Sequence, residues 1–334
     1  MVQHDNDAPA VKPAALQWHR TLQEAADWYV RLGDAPDDSA QRQAWQHWLH
    51  SQAEHQAAWA KITAVGQRFA ALAGQTGSTS AAAGLRQAAA PARRRAMRTL
   101  AGVMMAGAGG WMVWRYPPAQ DKMLAWQADY QTRLGEIRDL HLPDGSHLWL
   151  NTASAADFVV KENLRLLTLH QGEVVVQTAH DRAKPFVVKT RFGTMRALGT
   201  VFLVRKEAES AHLAVLEGAV QVSLARTGER RIIEQGMQVG IASDRMGVEH
   251  MLDQTQAAWR AGVLAVDNMR LVDFLRRLAR YRPGYLGVHP DIADLKVMGA
   301  YPVPDTDAAL ALLSEALPIR VQRNLPWWVT IEPR

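Results

Sequence analysis

The chain has 334 residues, with 38 Lys and Arg against 33 Asp and Glu, and it contains no cysteine. This length leaves room for two or three domains, and the lack of cysteine excludes disulfides, thiol chemistry and cysteine-ligated metals. The net charge of +5 is compatible with nucleic-acid binding, but the excess arginine lies mainly in residues 86–98. Membrane topology and anionic lipid explain arginines in that position better, so we predict no direct contact with nucleic acid.

The first segment is predicted to be helical. Residues 1–15 are polar, contain two prolines and are expected to be disordered. Apolar residues then recur at helical spacing, and Gly33 is expected to end the first helix. A second helix begins at Asp38 or Ser39, and a third follows it. Residues 16–73 are therefore expected to form an all-α domain of three helices.

Tryptophans mark this helical segment. Because three helices of this length bury only a small core, Trp45, Trp48 and Trp59 serve either as core residues or as a surface for a partner. The segment also contains three histidines, His47, His50 and His55. None has a carboxylate at matching spacing, so no metal site is predicted there.

An uncharged run divides the chain into two halves. Residues 99–114 carry no charge, and the five charged residues in the thirty positions before them are all basic: Arg86, Arg93, Arg94, Arg95 and Arg98. Basic residues stay on the cytoplasmic side of an inserted helix. We therefore predict one transmembrane helix over residues 96–116, in the inner membrane, with a cytoplasmic N-terminus and a periplasmic C-terminus. A buried core helix and a cleaved signal peptide are the alternatives. Residues 74–95, rich in Gly, Ser and Ala, are expected to be a linker.

Beyond residue 120 the hydrophobic pattern has a period of two. The string Leu142-Pro-Asp-Gly-Ser146 is a turn between two alternating runs, which predicts a hairpin. Further short runs follow, with Gly172 and Gly218 expected at turns between them. Eight or more strands at roughly ten-residue spacing are typical of a sandwich, a barrel or a curved double sheet. Residues 120–250 are therefore expected to form an all-β domain.

The last segment has a different pattern. After residue 260, two amphipathic helical runs alternate with short apolar runs in the order βαββαββ. Residues 260–334 are expected to form a small α+β module. A module of this size is too small to be an enzyme core by itself but large enough to dock a partner.

Several strings in this chain resemble one known family. The helical segment contains Ala26-Asp-Trp28, Trp45-Gln-His-Trp48-Leu49 and Glu54-His-Gln-Ala57-Ala58-Trp59. The β segment contains Leu142-Pro-Asp-Gly-Ser146, Leu150-Asn151, Gly172-Glu173, Pro185-Phe-Val-Val188, Ala197-Leu-Gly-Thr-Val-Phe202 and Val215-Leu-Glu-Gly218. In this order they resemble the FecR-like anti-sigma factors, transmembrane regulators of iron-uptake signalling. The tail resembles the secretin-and-TonB N-terminus module at the end of many members.

The resemblance implies a signalling relay that regulates transcription. The helical domain would bind an extracytoplasmic-function sigma factor, and the β domain would contact the periplasmic signalling domain of a TonB-dependent receptor for a siderophore or haem. Inner-membrane proteases would act on the regulator after the signal. The side chains expected at the sigma factor are Trp28, Leu32, Trp45, Trp48 and Leu49. No cofactor and no metal are expected, and the protein is not expected to be an ordinary enzyme.

One dipeptide is a candidate for chemistry. In several relatives the β domain cuts its own backbone at a Gly-Thr bond, and Gly199-Thr200 matches that dipeptide. The Thr200 hydroxyl would attack the Gly199 carbonyl carbon, and water would hydrolyse the ester that forms. Such a shift needs a general base. The candidates by residue type are His170, His180, His212 and Asp181. An ordinary turn-to-strand junction is the other interpretation of this dipeptide.

The alternative function is that of a membrane-anchored periplasmic β-domain protein with a structural, ligand-binding or hydrolytic role. No Gly-x-Ser-x-Gly or His-Glu-x-x-His string stands out in the sequence. Such a protein would also leave the tryptophan-rich helical segment without a role.

Overall fold

The structure, a computed structural model, describes residues 11–34, 38–75, 124–181 and 183–334. It divides into two compact units. One consists of Met1–Gln87 with Val266–Arg334, and the other of Ala88–Ala265. The predicted linker beyond residue 75, the transmembrane helix over residues 96–116 and Arg93, Arg94, Arg95 and Arg98 lie outside the described residues.

The first unit begins with three helices. They are α1 (Val11–Asp34), α2 (Ser39–Ser51) and α3 (Ala53–Gln75). Helix α1 begins upstream of the expected start at residue 16. Asp38 caps α2, because its Oδ1 accepts hydrogen bonds from the backbone N–H of Ala40 at 2.9 Å and of Gln41 at 3.1 Å.

The second unit is a β domain of thirteen named strands. They are β1 (Tyr130–Gln131), β2 (Arg138–His141), β3 (His147–Leu150), β4 (Ala155–Val160), β5 (Arg165–Gln177), β6 (Phe186–Thr190), β7 (Gly193–Ala197), β8 (Val201–Lys206), β9 (Ala211–Glu217), β10 (Ala219–Leu224), β11 (Arg230–Glu234), β12 (Met237–Ile241) and β13 (His250–Met251). Their order along the sheet is β11-β10-β7-β6-β5-β8-β9-β12-β13. Strands β3 and β4 also pair with β5, β2 pairs with β3, and β1 pairs with β4.

Strand β5 joins two halves of this sheet. Residues 165–171 pair with β4 and in part with β6, whereas residues 172–177 pair with β8 and in part with β3. The expected turn at Gly172 is therefore wrong, because that glycine lies inside a continuous strand. Its φ is +86°, and a Cβ there would overlap the backbone and side chain of Ser154. Leu167, Leu169 and Val174 of β5 are buried in the core that the two halves enclose.

The C-terminal module completes the first unit. Its elements are β14 (Val263–Arg270), α4 (Leu271–Leu278), β15 (Tyr285–Val288), β16 (Lys296–Pro302), α5 (Thr306–Ala316), β17 (Ile319–Leu325) and β18 (Trp328–Pro333). Strand β14 pairs with β16, and β18 lies between β15 and β17. Strands β15 and β18 are parallel, and Tyr285 of β15 stacks on Trp328 of β18 at a ring distance of 4.0 Å.

The three helices and the C-terminal module share one hydrophobic core. That core contains Leu22, Ala25, Ala26, Ala58, Ile62, Trp327 and Trp328. Trp327 makes an edge-to-face contact with Tyr29 of α1 at a ring distance of 5.4 Å. A buried contact between His19 Nε2 and Glu332 Oε1, at 2.9 Å, also joins α1 to β18.

The predicted fold class, a separate three-helix domain followed by one transmembrane helix, is therefore wrong. Trp327 and Trp328 complete the core of the helices, so the helical segment and the module form one unit rather than two domains. Among the helices in the described part of the chain, none combines the length and the apolar character that crossing a bilayer requires.

Candidate functional site

An aromatic surface lies on the first unit. Trp28 of α1 packs against Trp48 of α2 with ring centroids 6.3 Å apart, and Trp45 of α2 packs against Trp59 of α3 at 5.1 Å. Trp45 and Trp48 lie on the same side of α2, because residues three apart in a helix are neighbours on its surface. The Trp48 indole N–H also donates a hydrogen bond of 2.9 Å to Glu24 Oε2 on α1.

The five residues predicted at the sigma factor are all half-buried. We call Trp28, Leu32, Trp45, Trp48 and Leu49 the aromatic face. Helix α2, which supplies three of them, has no buried residue at all. The structure brings Trp28 to Trp48, while Leu32 and Leu49 lie half-buried on the same two helices. Apolar side chains that the fold covers only in part leave area for a partner.

The Trp45 indole nitrogen is buried without an acceptor among the described residues. A buried N–H without a partner costs free energy. This indole N–H is therefore an unsatisfied donor in the described structure.

The histidines of this segment have structural contacts. His55 stacks on Trp48 with ring centroids 4.4 Å apart, and its Nδ1 lies 2.7 Å from the Trp48 carbonyl oxygen. His50 contacts the Gln46 carbonyl oxygen at 2.7 Å, and His47 is exposed. In the described part of the helices they form no group of metal ligands.

The predicted cleavage dipeptide lies at a tight turn in the β domain. Gly199 precedes β8 with a φ of +80°, a backbone conformation that favours glycine. Gly218, between β9 and β10, has a φ of +76° and lies directly against the Gly199 carbonyl oxygen. A Cβ at Gly218 would overlap that oxygen and the Thr200 methyl group. Both glycines are needed for the chain to adopt this turn.

Thr200 is fixed through its backbone but not through its hydroxyl. Its N–H donates to Thr178 Oγ1 at 3.1 Å, and its carbonyl accepts from the Thr178 N–H at 3.1 Å. The side chain is buried, and Oγ1 has no hydrogen-bond partner within the described ranges. Buried hydroxyls are nearly always hydrogen-bonded, so a bare one beside a glycine peptide is a candidate for chemistry.

A cavity of about 320 Å³ lies beside this turn. Its lining includes Arg165, Thr178, His180, Asp181, Arg196 and Gly199. Arg165 is itself buried and forms an ion pair with Asp144 at 3.0 Å. The backbone N–H groups of Lys184 and Ala183 lower the pKa of Asp181, which favours its ionised form.

The four candidate bases divide into two pairs. His180 and Asp181 line the cavity that Gly199 also lines. His170 instead pairs with Asp157 at 2.7 Å, and His212 contacts Gln238 Oε1 at 3.1 Å. Burial lowers the pKa of His212, which favours its neutral form. Of the four, the structure therefore brings only His180 and Asp181 to this cavity.

Sequence reasoning missed Thr178 and Arg165 in this site. Thr178 follows β5, and β5 pairs with β8 so that Gln177 lies opposite Val201. The pairing of these two strands, had it been predicted, would have placed Thr178 beside Thr200. No sequence signal marks Arg165, because its buried partner Asp144 lies in the distant Pro-Asp-Gly turn.

Two family models match the chain. The model described as FecR protein matches residues 128–221, and that of a domain of unknown function, DUF4880, matches residues 23–65. No curated protein is significantly similar to the chain.

Two crystal structures of a candidate anti-sigma factor from Parabacteroides distasonis ATCC 8503 are similar to the fold. Their TM-scores are 0.50 and 0.51, with 21% sequence identity, and the match covers 61% of this chain and 98% of theirs. At this identity the similarity shows the fold alone. The two family matches fall in the predicted order along the chain and confirm its resemblance to the FecR-like family.

Proposed function

We propose that this chain is an anti-sigma factor whose helices bind an extracytoplasmic-function sigma factor through the aromatic face. The observation that carries the proposal is that α2 has no buried residue although it contains Trp45, Trp48 and Leu49. Aromatic residues held half-exposed on short helices are typical of interface anchors. The similar fold of the candidate anti-sigma factor from Parabacteroides distasonis supports the same role.

A partner would cover what the fold leaves open. Burial of a large apolar side chain contributes about 1.5–3 kcal/mol relative to its exposed state. Arg31, which is exposed and lies 5.5 Å from the centroid of the Trp28 ring, would supply a positive rim. The interface would therefore combine an apolar centre with a charged border.

The test is a binding titration of the full chain with the extracytoplasmic-function sigma factor encoded nearest to it. Trp45→Ala and Trp48→Ala are each expected to weaken binding by roughly 30-fold, as is typical of interface anchors. Gln43→Ala and His47→Ala are the matched controls, because both residues are exposed on the same helix. These controls are expected to stay within about twofold of the wild type.

Two results would contradict the proposal. Normal binding by both tryptophan variants would show that the aromatic face is not the interface. Equal weakening by the exposed controls would show that α2 acts through its fold rather than through this face. Circular dichroism of each variant separates loss of binding from loss of helix.

The proposal continues on the β domain, which would receive the signal from a TonB-dependent receptor for a siderophore or haem. Strands β11 and β13 end the sheet, and they carry exposed Ile232 and Met251. An exposed strand edge with apolar side chains can pair with a strand of another protein, here the receptor's periplasmic signalling domain. Cuts by inner-membrane proteases would follow this contact.

A pull-down of the full chain with the purified receptor signalling domain tests this contact. Ile232→Lys and Met251→Lys are expected to reduce capture at least tenfold, because a lysine on an edge strand opposes pairing. Met298→Lys is the control, since Met298 is exposed in the other unit. Unchanged capture by both edge variants would show that the receptor domain does not bind at β11 or β13.

A second candidate activity is self-cleavage between Gly199 and Thr200. The observation in its favour is the buried Thr200 hydroxyl without a hydrogen-bond partner in the described ranges, next to a glycine at positive φ. It would be a single-turnover event, which is consistent with a family that is generally not enzymatic.

The chemistry of the cut balances without a cofactor. Thr200 Oγ would attack the Gly199 carbonyl carbon while a base takes the hydroxyl proton. The amide C–N bond would break, a proton would pass to the Thr200 nitrogen, and an ester would remain. Thr178 Oγ1, which already contacts that nitrogen, is placed to pass on this proton. Water would then hydrolyse the ester to a Gly199 carboxylate and the free hydroxyl.

The test compares the native chain, tagged at both ends, with three variants. Thr200→Ser keeps a hydroxyl and should still yield a fragment beginning at residue 200. Thr200→Val keeps the shape without a nucleophile and should remain uncut. Thr178→Val should slow the cut without changing the fold. N-terminal sequencing of the fragment identifies the bond, and an uncut native chain would remove the self-cleavage proposal while leaving sigma-factor binding untouched.

A further inference from the structure

The outer face of the β2–β3 hairpin carries a group of side chains that neither proposed activity uses. Asp139 and His141 lie two residues apart on β2, so both point to the same side of the strand. Strand β3 places His147 opposite His141 and Trp149 opposite Asp139. The intervening Leu148 and Leu150 are fully buried, so all four side chains lie on the outward face.

Three of these side chains converge. One potential ligand atom from each of Asp139, His141 and His147 lies within 4.8 Å of the other two. The imidazole rings of His141 and His147 stack with centroids 4.3 Å apart, and His147 Nε2 contacts Asp139 Oδ1. Two ligand atoms at about 2.0–2.2 Å from one ion are at most about 4.4 Å apart, so small side-chain movements would bring all three atoms to an ion.

A second set of contacts orients the group. The Trp149 indole N–H donates a hydrogen bond of 3.0 Å to Asp139 Oδ2, which leaves Oδ1 directed at the histidines. Such a bond to the far oxygen of a ligating carboxylate is a common outer contact of metal sites. Arg260 lies 5.0 Å from the centroid of the Trp149 ring, which helps to fix the indole.

The hairpin that carries these residues is braced. In its turn, the Gly145 N–H donates to the Leu142 carbonyl at 2.9 Å, and the Leu142 N–H donates to the Ser146 carbonyl at 2.8 Å. Asp144 of the turn is held by its ion pair with Arg165. The positions of His141 and His147, on either side of this turn, are therefore fixed before any ligand binds.

We propose that Asp139, His141 and His147 bind a divalent transition metal ion, of which Zn²⁺ is the representative. Two imidazoles with one carboxylate suit Zn²⁺, Cu²⁺ or Ni²⁺, whereas Mg²⁺ and Ca²⁺ prefer oxygen ligands. On binding, the ion would replace the contact between His147 and Asp139 and would keep at least one position for water or for a ligand from a partner. Because two of the three residues are exposed, the ion would exchange freely with solvent.

The test is calorimetric titration of the full chain with ZnCl₂. His141→Ala removes an exposed ligand, and His147→Phe keeps a ring against Trp149 but has no ligand nitrogen. Each variant is expected to weaken Zn²⁺ binding at this site at least tenfold, and Asp139→Asn to weaken it less. His250→Ala, on β13, is the matched control because it removes an exposed histidine of the same domain. That control should bind Zn²⁺ like the native chain.

Several outcomes would overturn the site. A native chain that does not bind Zn²⁺ at millimolar concentration would contradict the proposal. Native affinity in both histidine variants would contradict it as well. Competition by Mg²⁺ at equal concentration would also contradict an imidazole site. A thermal unfolding curve of each variant, matched to the native curve, ensures that lost binding reports lost ligands rather than a lost fold.

Discussion

The β domain closes its core with its own strands, whereas the helices complete theirs with the last strand of the chain. In the β domain, residues such as Leu148, Phe202 and Leu213 are fully buried among other residues of the same domain. In the helical segment, the buried residues Leu22 and Ile62 share their core with Trp327 and Trp328. The β domain therefore buries its core without another segment, whereas the helices need the C-terminal module to complete theirs.

This difference shows where a partner is expected. A sheet with alternating inward and outward residues can bury its apolar face by folding over onto a second layer of strands. Three helices alone bury only a small core. One side of this bundle is covered by the C-terminal module, while the aromatic face stays half-buried. The region whose core is completed by another segment is thus also the region whose apolar side chains stay partly exposed.

The largest expected effect comes from removing the shared core. Trp327 is buried, contacts Tyr29, and lies 6.4 Å from Phe69 between ring centroids. Trp327→Ala is expected to cost about 3–5 kcal/mol, the usual cost of truncating a buried aromatic residue. Hydrogen exchange should then accelerate in α1, α3 and β18 and stay unchanged in the β domain.

The matched control is Trp126→Ala, because Trp126 is 85% exposed. It should leave exchange unchanged throughout the chain. Native protection of α1 in the Trp327 variant would show that the helices fold without the C-terminal module.

The second prediction concerns the self-contained core of the β domain. A Cβ at Gly172 would overlap Ser154, and the φ of +86° disfavours any other residue. Gly172→Ala is expected to lower the free energy of unfolding by about 2–4 kcal/mol, from backbone strain plus overpacking. Urea denaturation of the full chain, followed by exchange in β-domain peptides, measures this.

A substitution at Gly236 separates the cost of backbone strain from the cost of overpacking. Its φ is +78°, but nothing lies within 4 Å of a Cβ placed there. Gly236→Ala should therefore cost only the backbone strain, about 1–2 kcal/mol. Equal losses at the two glycines would show that the close approach at Ser154 has no energetic effect.

Single strands and helices could be predicted from this sequence, but their partners could not. The alternating runs predict strands over 212–217 and 219–224, on either side of the turn expected at Gly218. They agree with β9 and β10 to within one residue, because period two fixes which side chains face inward. The alternation says nothing about the order β10-β7-β6-β5-β8, which joins strands far apart in the chain. Nor could helical periodicity indicate that Trp327 would pack on Tyr29.

In the candidate sites, too, single residues could be predicted from the sequence, whereas their partners depend on strand pairing. The Gly199-Thr200 dipeptide was visible as a string, yet the role of Thr178 depends on strand pairing. The sequence does indicate the proposed metal site, because a two-stranded hairpin about the Pro-Asp-Gly turn already sets His141 opposite His147. Its recognition depends on the register of that hairpin, which decides which side chains lie opposite one another.

The third prediction tests the polar part of the shared core. His19 and Glu332 are both buried, and Gln23 Nε2 also donates to Glu332 Oε1 at 2.9 Å. A double-mutant cycle of His19→Ala and Glu332→Gln is expected to give a coupling energy of about 1–3 kcal/mol. Removal of one partner leaves the other buried without its hydrogen bond, and that costs free energy.

The ion pair of exposed Arg270 with half-buried Asp273, at 2.9 Å, is the comparison. Its coupling energy should be well below that of the buried pair, because water screens the charges. If the buried pair couples no more strongly than this one, the contact between α1 and β18 contributes packing but no polar specificity.

The smallest effect is a pH dependence confined to the β domain. Burial lowers the pKa of His212, and nearby Arg205 lowers it further, so the folded state favours the neutral imidazole. Below about pH 6.5 the unfolded chain binds this proton more readily than the folded chain does, so stability falls as the pH decreases. His212→Gln keeps a polar group near Gln238 and removes the titration, so its unfolding free energy should change less between pH 7.5 and pH 5.5 than that of the native chain. The same slope in both proteins would show that His212 is as easily protonated in the fold as in the unfolded chain. Because the shared core of the helices does not contain His212, exchange in α1 should not follow this slope, and the β domain would then respond to acid independently of the helices.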